Sequence, residues 1–123
     1  MSGTYNLKRG VADTSDYATV VEVASADGAI TIPDRGRKKV LITKGSAAAL
    51  TLGTPSAAQN GVEIDITSTT AYAHTITAAT IGFNDGGMAS AVCTFSAEKG
   101  NRLCVIAYAN DWWVMDNING TLA

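Results

Sequence analysis

Thiols and imidazoles are the side chains most ready to act as nucleophiles, bases or metal ligands near neutral pH, and the sequence has three: His74, Cys93 and Cys104. A Ser-His-Asp or Cys-His arrangement needs an imidazole, yet the chain has no G-x-S-x-G motif, and neither cysteine lies in a recognisable nucleophile motif. A zinc site built from the three would lack a fourth protein ligand. We therefore expect a non-enzymatic protein with no metal site and no cofactor, in which His74 is a hydrogen-bonded structural imidazole.

The two cysteines have two possible relationships. A tight turn at Glu98–Lys99 would place Cys93 and Cys104 opposite each other on adjacent strands, whereas a longer loop through Asn101 would shift the register and separate them. Because disulfides are rare in the cytosol, two buried thiols are the expected state there.

Two loops carry charged or glycine-rich sequences. Residues 34–39 (DRGRKK) follow Pro33 and place four cations and one anion on a predicted turn, which suits either a solvated hairpin tip or a site for an acidic partner. Residues 82–87 (GFNDGG) hold one carboxylate and lack the alternating acidic ligands of a calcium loop. No G-K-[ST] follows these glycines, so a phosphate-binding loop is not predicted either.

The composition favours contacts with other proteins. The net charge is −2 and only 16% of the residues are charged, which argues against nucleic-acid binding through phosphate neutralisation. The chain contains 20 alanines and 15 threonines but two phenylalanines and two tryptophans, so its apolar side chains are mostly small. A low-charge surface with many methyl groups suits protein interfaces.

The sequence predicts no membrane attachment or export. The N-terminal basic residues are not followed by an apolar run of signal-peptide length, and no stretch of the chain is apolar enough to span a bilayer as a helix. Synthesis in the cytoplasm is therefore expected.

Alternation of apolar and polar residues with period two dominates the chain, and helical periodicity is nearly absent. Strand centres recur about every ten residues, separated by clusters of Gly, Asn, Asp, Ser or Pro. This spacing predicts an all-β domain over residues 20–123, a compact, jelly-roll-like sandwich or barrel of about eight or nine short antiparallel strands. The predicted strands are residues 20–24, 29–32, 39–43, 49–52, 62–67, 73–78, 91–96, 102–108 and 112–116.

Residues 1–19 differ from the rest because they are polar and do not alternate. We expect an extended N-terminal arm that lies along a neighbouring chain, with a frayed terminus as the alternative. Its sizeable apolar side chains are Tyr5, Leu7, Val11 and Tyr17.

The C-terminal hairpin is the most specific local feature. Asn110–Asp111 fits a two-residue type I′ turn, because both residues tolerate positive φ. Both faces are apolar, so the domain core should cover one and a neighbouring subunit the other, unless the hairpin is a central strand pair under a loop. One face carries Cys104, Ile106, Tyr108, Trp113 and Met115, and the other carries Leu103, Val105, Ala107, Trp112 and Val114. Consecutive tryptophans face opposite ways, so one of the two is expected at the subunit contact.

Four short segments carry a resemblance to known proteins: residues 42–52 (ITKGSAAALTL), 54–61 (TPSAAQNG), 66–71 (ITSTTA) and 73–75 (AHT). Through these segments, residues 29–118 resemble the small β-rich virion proteins of tailed bacteriophages. Residues 105–113 (VIAYANDWW) are similar to the A-Y-x-x-x-W hairpin that closes such domains. The chain departs from that pattern at Asp111, where glycine is usual, and in its second tryptophan.

The resemblance implies a capsid decoration, or cement, protein on the exterior of the virion, a homotrimer bound to the major capsid protein. Such proteins often sit at three-fold axes of the shell, and related domains also serve in head and tail fibres. The alternative is therefore a receptor- or glycan-binding module of a fibre. The candidate subunit-interface residues are Tyr108, Trp112, Trp113 and Met115. The candidate capsid-contact residues are Arg35, Arg37, Lys38, Lys39, Tyr5 and Leu7.

Overall fold

The computed structural model describes residues 19–123, which form ten strands in two five-stranded sheets. Two 3₁₀ helices, Ala57–Gln59 and Gly87–Ser90, lie in the connecting loops. The strands are β1 (Thr19–Ala24), β2 (Gly28–Ile30), β3 (Arg37–Ile42), β4 (Ala49–Leu52), β5 (Glu63–Ser68), β6 (Thr75–Thr77), β7 (Val92–Phe95), β8 (Arg102–Tyr108), β9 (Asp111–Ile118) and β10 (Gly120–Leu122).

The first sheet has the order β9-β8-β5-β3-β1, and the second has the order β10-β7-β6-β4-β2. Neither sheet closes into a barrel within residues 19–123, so the two pack as a sandwich. The predicted all-β sandwich is confirmed, and all nine predicted strands are present. The tenth strand, β10, follows a one-residue turn at Asn119, which has positive φ, and its short sequence shows too little alternation to be predicted.

The first six strands alternate between the two sheets, so this part of the chain winds around the core like a coil. As a result, β1, β3 and β5 run parallel in the first sheet, and β2, β4 and β6 run parallel in the second. The predicted antiparallel, jelly-roll-like order is therefore wrong for these strands. Antiparallel pairs join β5 to β8, β8 to β9, β6 to β7 and β7 to β10.

The core lies between the two sheets, where alternate residues of each strand point inward. Burying a side chain the size of isoleucine or leucine contributes roughly 1.5–3 kcal/mol, so this layer supplies most of the favourable free energy of folding. Its largest fully buried apolar side chains are Trp112, Phe83, Phe95, Ile42, Leu52, Ile64, Ile66, Ile76, Leu103 and Val40.

The hairpin of β8 and β9 turns one residue earlier than predicted. Ala109 and Asn110 have φ values of 53° and 62° and form the two-residue turn, so Asp111 pairs with Tyr108 and Trp113 pairs with Ile106. Tertiary hydrogen bonds hold this register: Asn110 Nδ2 donates to the Pro55 carbonyl at 3.0 Å, and the Ala109 amide donates to Asn60 Oδ1 at 3.1 Å. Trp112 and Trp113 still face opposite sides, as predicted.

The hairpin lies at an edge of the first sheet, so the alternative of a central strand pair is wrong. Residues of the loop before the Gly87–Ser90 helix cover the first half of this edge. The Asn84 amide donates to the Trp112 carbonyl at 2.9 Å, and the Val114 amide donates to Asn84 Oδ1 at 2.8 Å. Gly82 is required in this loop, because a Cβ there would lie 2.0 Å from the Gly87 carbonyl oxygen.

The cysteines do not face each other. Cys93 lies on β7 in the second sheet and Cys104 on β8 in the first, because the loop around Glu98 crosses between sheets instead of forming a hairpin. Both predicted arrangements placed the two cysteines on adjacent strands of one sheet, so both are wrong. Both thiols are free and buried, as expected, and burial raises the pKa of Cys93 to about 11.

Candidate functional site

Large apolar side chains are exposed along the outer face of the β8–β9 hairpin. Tyr108 is 62% exposed and Trp113 is 37% exposed, and the Trp113 indole N–H donates to the Tyr108 carbonyl at 3.0 Å. The alternation of strand β9 breaks at a bulge between Val114 and Asp116, where Met115 is exposed. We call this surface the hairpin patch and define it as Ile106, Tyr108, Trp113, Met115 and Ile118.

The two adjacent tryptophans have different surroundings. Trp112 is fully buried, and its indole N–H donates to the Gly53 carbonyl at 2.7 Å. The core of this chain already surrounds Trp112. The prediction that Trp112 lies at a subunit interface is therefore wrong. Of the four candidate interface residues, Tyr108, Trp113 and Met115 lie on the hairpin patch.

An ion network lies beside the hairpin patch on the same outer face. Asp65 of β5 accepts hydrogen bonds from Lys39 Nζ at 2.8 Å and from Arg102 Nε and Nη2 at 3.0 and 2.9 Å. Arg102 also contacts Asp116 at 2.9 Å, which extends the network to β9. Burial of Asp65 disfavours its charge, but the bonds from Arg102 and Lys39 outweigh this and lower its pKa.

Cys104 lies in a shallow depression of about 200 Å³ on this face, together with Asp65 and Arg102. Burial, with the nearby negative charge of Asp65, raises the pKa of the Cys104 thiol. Because the thiolate is the reactive form, a raised pKa makes this cysteine a weak nucleophile.

The predicted basic turn is mostly a strand. Arg37, Lys38 and Lys39 belong to β3, because Gly36 ends the turn and the β3 backbone pairs with both β1 and β5. Lys38 is only 5% exposed, forms an ion pair with Glu22 and donates to the Thr31 carbonyl at 2.6 Å. Lys38 is therefore not available to bind a capsid.

The other predicted capsid-contact residues differ in their placement. Arg37 and Lys39 project from the outer face, where Arg37 lies 3.9 Å from Glu63 and Lys39 is paired with Asp65. Arg35 lines an open depression beside Gln59. Tyr5 and Leu7, like all of the predicted arm except Thr19, lie outside the described residues.

His74 lies just before β6 and is fully buried. The Ala48 amide donates to its Nδ1 at 2.9 Å, so the proton of the neutral ring is on Nε2, which donates to Thr70 Oγ1 at 2.9 Å. The prediction of a hydrogen-bonded imidazole is confirmed. Burial lowers the pKa of His74, the Thr70 backbone opposes this, and the positive charge of Lys44 lowers it further.

A third depression, of about 290 Å³, lies at the tip of the hairpin. It brings Asp85 from the glycine-rich loop together with Asn110 and Asp111 from the β8–β9 turn. The sequence did not indicate this cluster, because its two acids are far apart in the chain. The Asp65 network was missed for a related reason: its members lie on four strands whose order the alternation pattern does not reveal.

No helix within residues 19–123 is long and apolar enough to cross a membrane. Compared with known proteins, the chain matches no family model and no curated protein sequence.

Proposed function

We propose that this protein is a structural protein of a bacteriophage virion, a capsid decoration protein that binds the assembled head as a homotrimer and stabilises it. The observation that carries the proposal is the hairpin patch, which exposes Tyr108, Trp113 and Met115 on a sheet whose other face is the core. Tyrosine and tryptophan are enriched among the residues that dominate binding energy at protein interfaces. The resemblance of residues 29–118 to small phage virion proteins supplies the identity of the partner.

The proposed role needs binding and no chemistry. A protein that binds the assembled shell but not its free subunits adds its binding free energy to the stability of the shell. A trimer presents three copies of the same contact, so modest contacts combine into a higher overall affinity. On the outer face, Arg37 and Lys39 are the candidates for contact with acidic capsid groups, and Arg35 is the candidate on the turn.

The test combines oligomeric state with binding to heads. Light scattering is expected to give the mass of a trimer, and the protein is expected to co-sediment with purified phage heads that lack it. Trp113→Ala should weaken trimer formation or head binding about tenfold or more, because it removes an aromatic anchor. Met88→Ala is the matched control, since Met88 is an exposed apolar residue outside the hairpin patch. A monomer that does not bind heads would refute the proposal.

A glycan-binding role on a fibre is the second candidate, supported by the exposure of Tyr108 and Trp113. The polar side chains near these aromatic residues, which a sugar would need as hydrogen-bond partners, are already engaged or buried. Asn110 donates a hydrogen bond to the Pro55 carbonyl, and the Asn117 side chain forms hydrogen bonds with both the amide and the carbonyl of Gly120. Asp111 is buried. Glycan-array binding that is lost in Trp113→Ala would favour this candidate over decoration.

A further inference from the structure

Most of the exposed large apolar side chains within residues 19–123 lie in two clusters. One is the hairpin patch. The other lies at the opposite edge of the first sheet, where Val21 and Val23 of β1 are 58% and 59% exposed. Leu41 of β3 pairs with Val23, so its side chain points to the same outer face. We call Val21, Val23 and Leu41 the valine stripe.

Strand β1 is an unprotected edge of the sheet. Within residues 19–123 no strand pairs with its outer side, and its six residues pair with β3 in an unbroken register. Folded proteins protect such edges with proline, a bulge or outward charges, and an apolar edge strand without them is a site of association. Strand β1 has no proline and no bulge, and its one charged residue, Glu22, is paired with Lys38. The valine stripe therefore has the character of a contact surface.

The hairpin patch and the valine stripe cannot meet within one chain. Four strand intervals separate β9 from β1, which is roughly 19 Å across the sheet. In a homotrimer, a three-fold rotation places the patch of one copy against an unlike surface of the next copy. The valine stripe is the other apolar cluster on the outer face of the first sheet, and it is exposed enough to be that surface.

The charges beside the two surfaces are opposite in sign. Arg37 and Lys39 lie on β3 next to the valine stripe, whereas Asp116 lies on β9 beside the hairpin patch, with its side chain 45% exposed. Lys39 is held by Asp65 at 2.8 Å, but the Arg37 side chain is 68% exposed and approaches Glu63 only to 3.9 Å. Arg37 can therefore turn towards a carboxylate of another chain. Such complementary charges favour association in one orientation.

We propose that, in the homotrimer, the hairpin patch of each copy packs on the valine stripe of the next copy. Trp113 is then buried at the contact, and Arg37 of one copy approaches Asp116 of the other. The contact rests on the proposed function, which supplies the homotrimer. It assigns Arg37 to the contact between copies and leaves Arg35 and Lys39 as the candidates for the capsid.

A matched pair of variants on β1 tests the contact. Val21→Glu places a charge in the apolar contact and should weaken trimer formation about tenfold or more, measured by light scattering of the full chain. Val20→Glu is the control and should remain a trimer, because Val20 is 52% exposed and points to the other face of β1. Circular dichroism checks that both variants fold. A Val21→Glu protein that remains a trimer, or a control that dissociates equally, would overturn the proposal.

An exchange of charges tests the pairing of Arg37 with Asp116 and does not depend on the β1 variants. Arg37→Glu and Asp116→Lys should each weaken the trimer about threefold or more, and the double variant should recover most of the loss. The two residues are three strand intervals apart in one chain, roughly 14 Å, so the recovery cannot come from a direct contact within the chain. Two losses that simply add in the double variant would overturn the proposal.

Binding to phage heads separates this contact from the proposed function. A wild-type protein that is a monomer and does not bind heads refutes both. If the wild-type protein is a trimer that binds heads and Val21→Glu remains a trimer, the proposed function stands and the contact alone is overturned. Loss of head binding by that trimeric variant would show that the capsid covers the valine stripe instead.

Discussion

At the scale of single residues, His74 links the stability of the fold to pH. Because its pKa is lowered in the folded protein, the unfolded chain takes up a proton more readily than the folded chain as pH falls through the ordinary value of 6.5. The free energy of unfolding should therefore be highest above that value. As the pH falls from the ordinary pKa of histidine to the lowered pKa of His74, the free energy of unfolding should decrease by up to about 1.4 kcal/mol per pH unit.

Urea unfolding at pH 7.5, 6.0 and 5.0 checks this prediction, with His74→Gln as the comparison. Stability of the variant should change less over this range, because it has no imidazole to protonate. Asp27 and Asp65 also have lowered pKa values, but their ordinary value is 3.8, so they affect stability only at lower pH. An equal slope in the two proteins would contradict the prediction.

At the scale of elements, strand β9 divides its two tryptophans between the core and the surface. Trp112→Ala should lower the free energy of unfolding by about 3–5 kcal/mol, because it leaves a cavity and the Gly53 carbonyl loses its donor. Trp113→Ala should cost less, because Trp113 is 37% exposed and its removal leaves no enclosed cavity. Denaturant unfolding of the two variants at low protein concentration makes the comparison, and equal losses would contradict it.

The elements themselves were largely predictable from the sequence. The predicted bounds of β4 and β8 agree with the structure, because apolar alternation between clear turn residues marks a half-buried strand whatever its neighbours are. Strand direction was not predictable, because a strand has the same alternation in a parallel or an antiparallel pair. The turn position at Ala109 was missed because it depends on hydrogen bonds that the turn donates to Asn60 Oδ1 and to the Pro55 carbonyl, and both acceptors are far away in sequence.

The candidate sites were likewise predictable where they depend on local sequence pattern, and unpredictable where they depend on tertiary contacts. The hairpin patch was largely predictable, since opposite faces of one local hairpin fix which side Trp113 shares with Ile106. The burial of Lys38 was not, because its partner Glu22 belongs to a strand that pairs with β3 only in the folded sheet. That Asp85 and Asp111 line one depression depends on the tertiary placement of a loop beside a turn, for which a single sequence carries no signal.

At the scale of the whole molecule, both sheets contribute to one hydrophobic cluster. Neither sheet can bury its inner face without the other, so the described domain should unfold in a single cooperative transition. Tryptophan fluorescence, dominated by the change around Trp112, and far-ultraviolet circular dichroism should give the same midpoint in urea. Two separated transitions would show that part of the sandwich folds independently.

The two edges of the first sheet also differ. The hairpin patch lies towards the β9 edge, whereas β1 at the opposite edge exposes Val21 and Val23. Away from the axis itself, a three-fold rotation brings two different patches of each copy together, so a trimer needs a second patch besides the hairpin patch. A contact from one end of the sheet to the other end of the next copy has a direction, head to tail. With a rotation of one third of a turn such a contact closes into a ring, and without closure it grows into a filament.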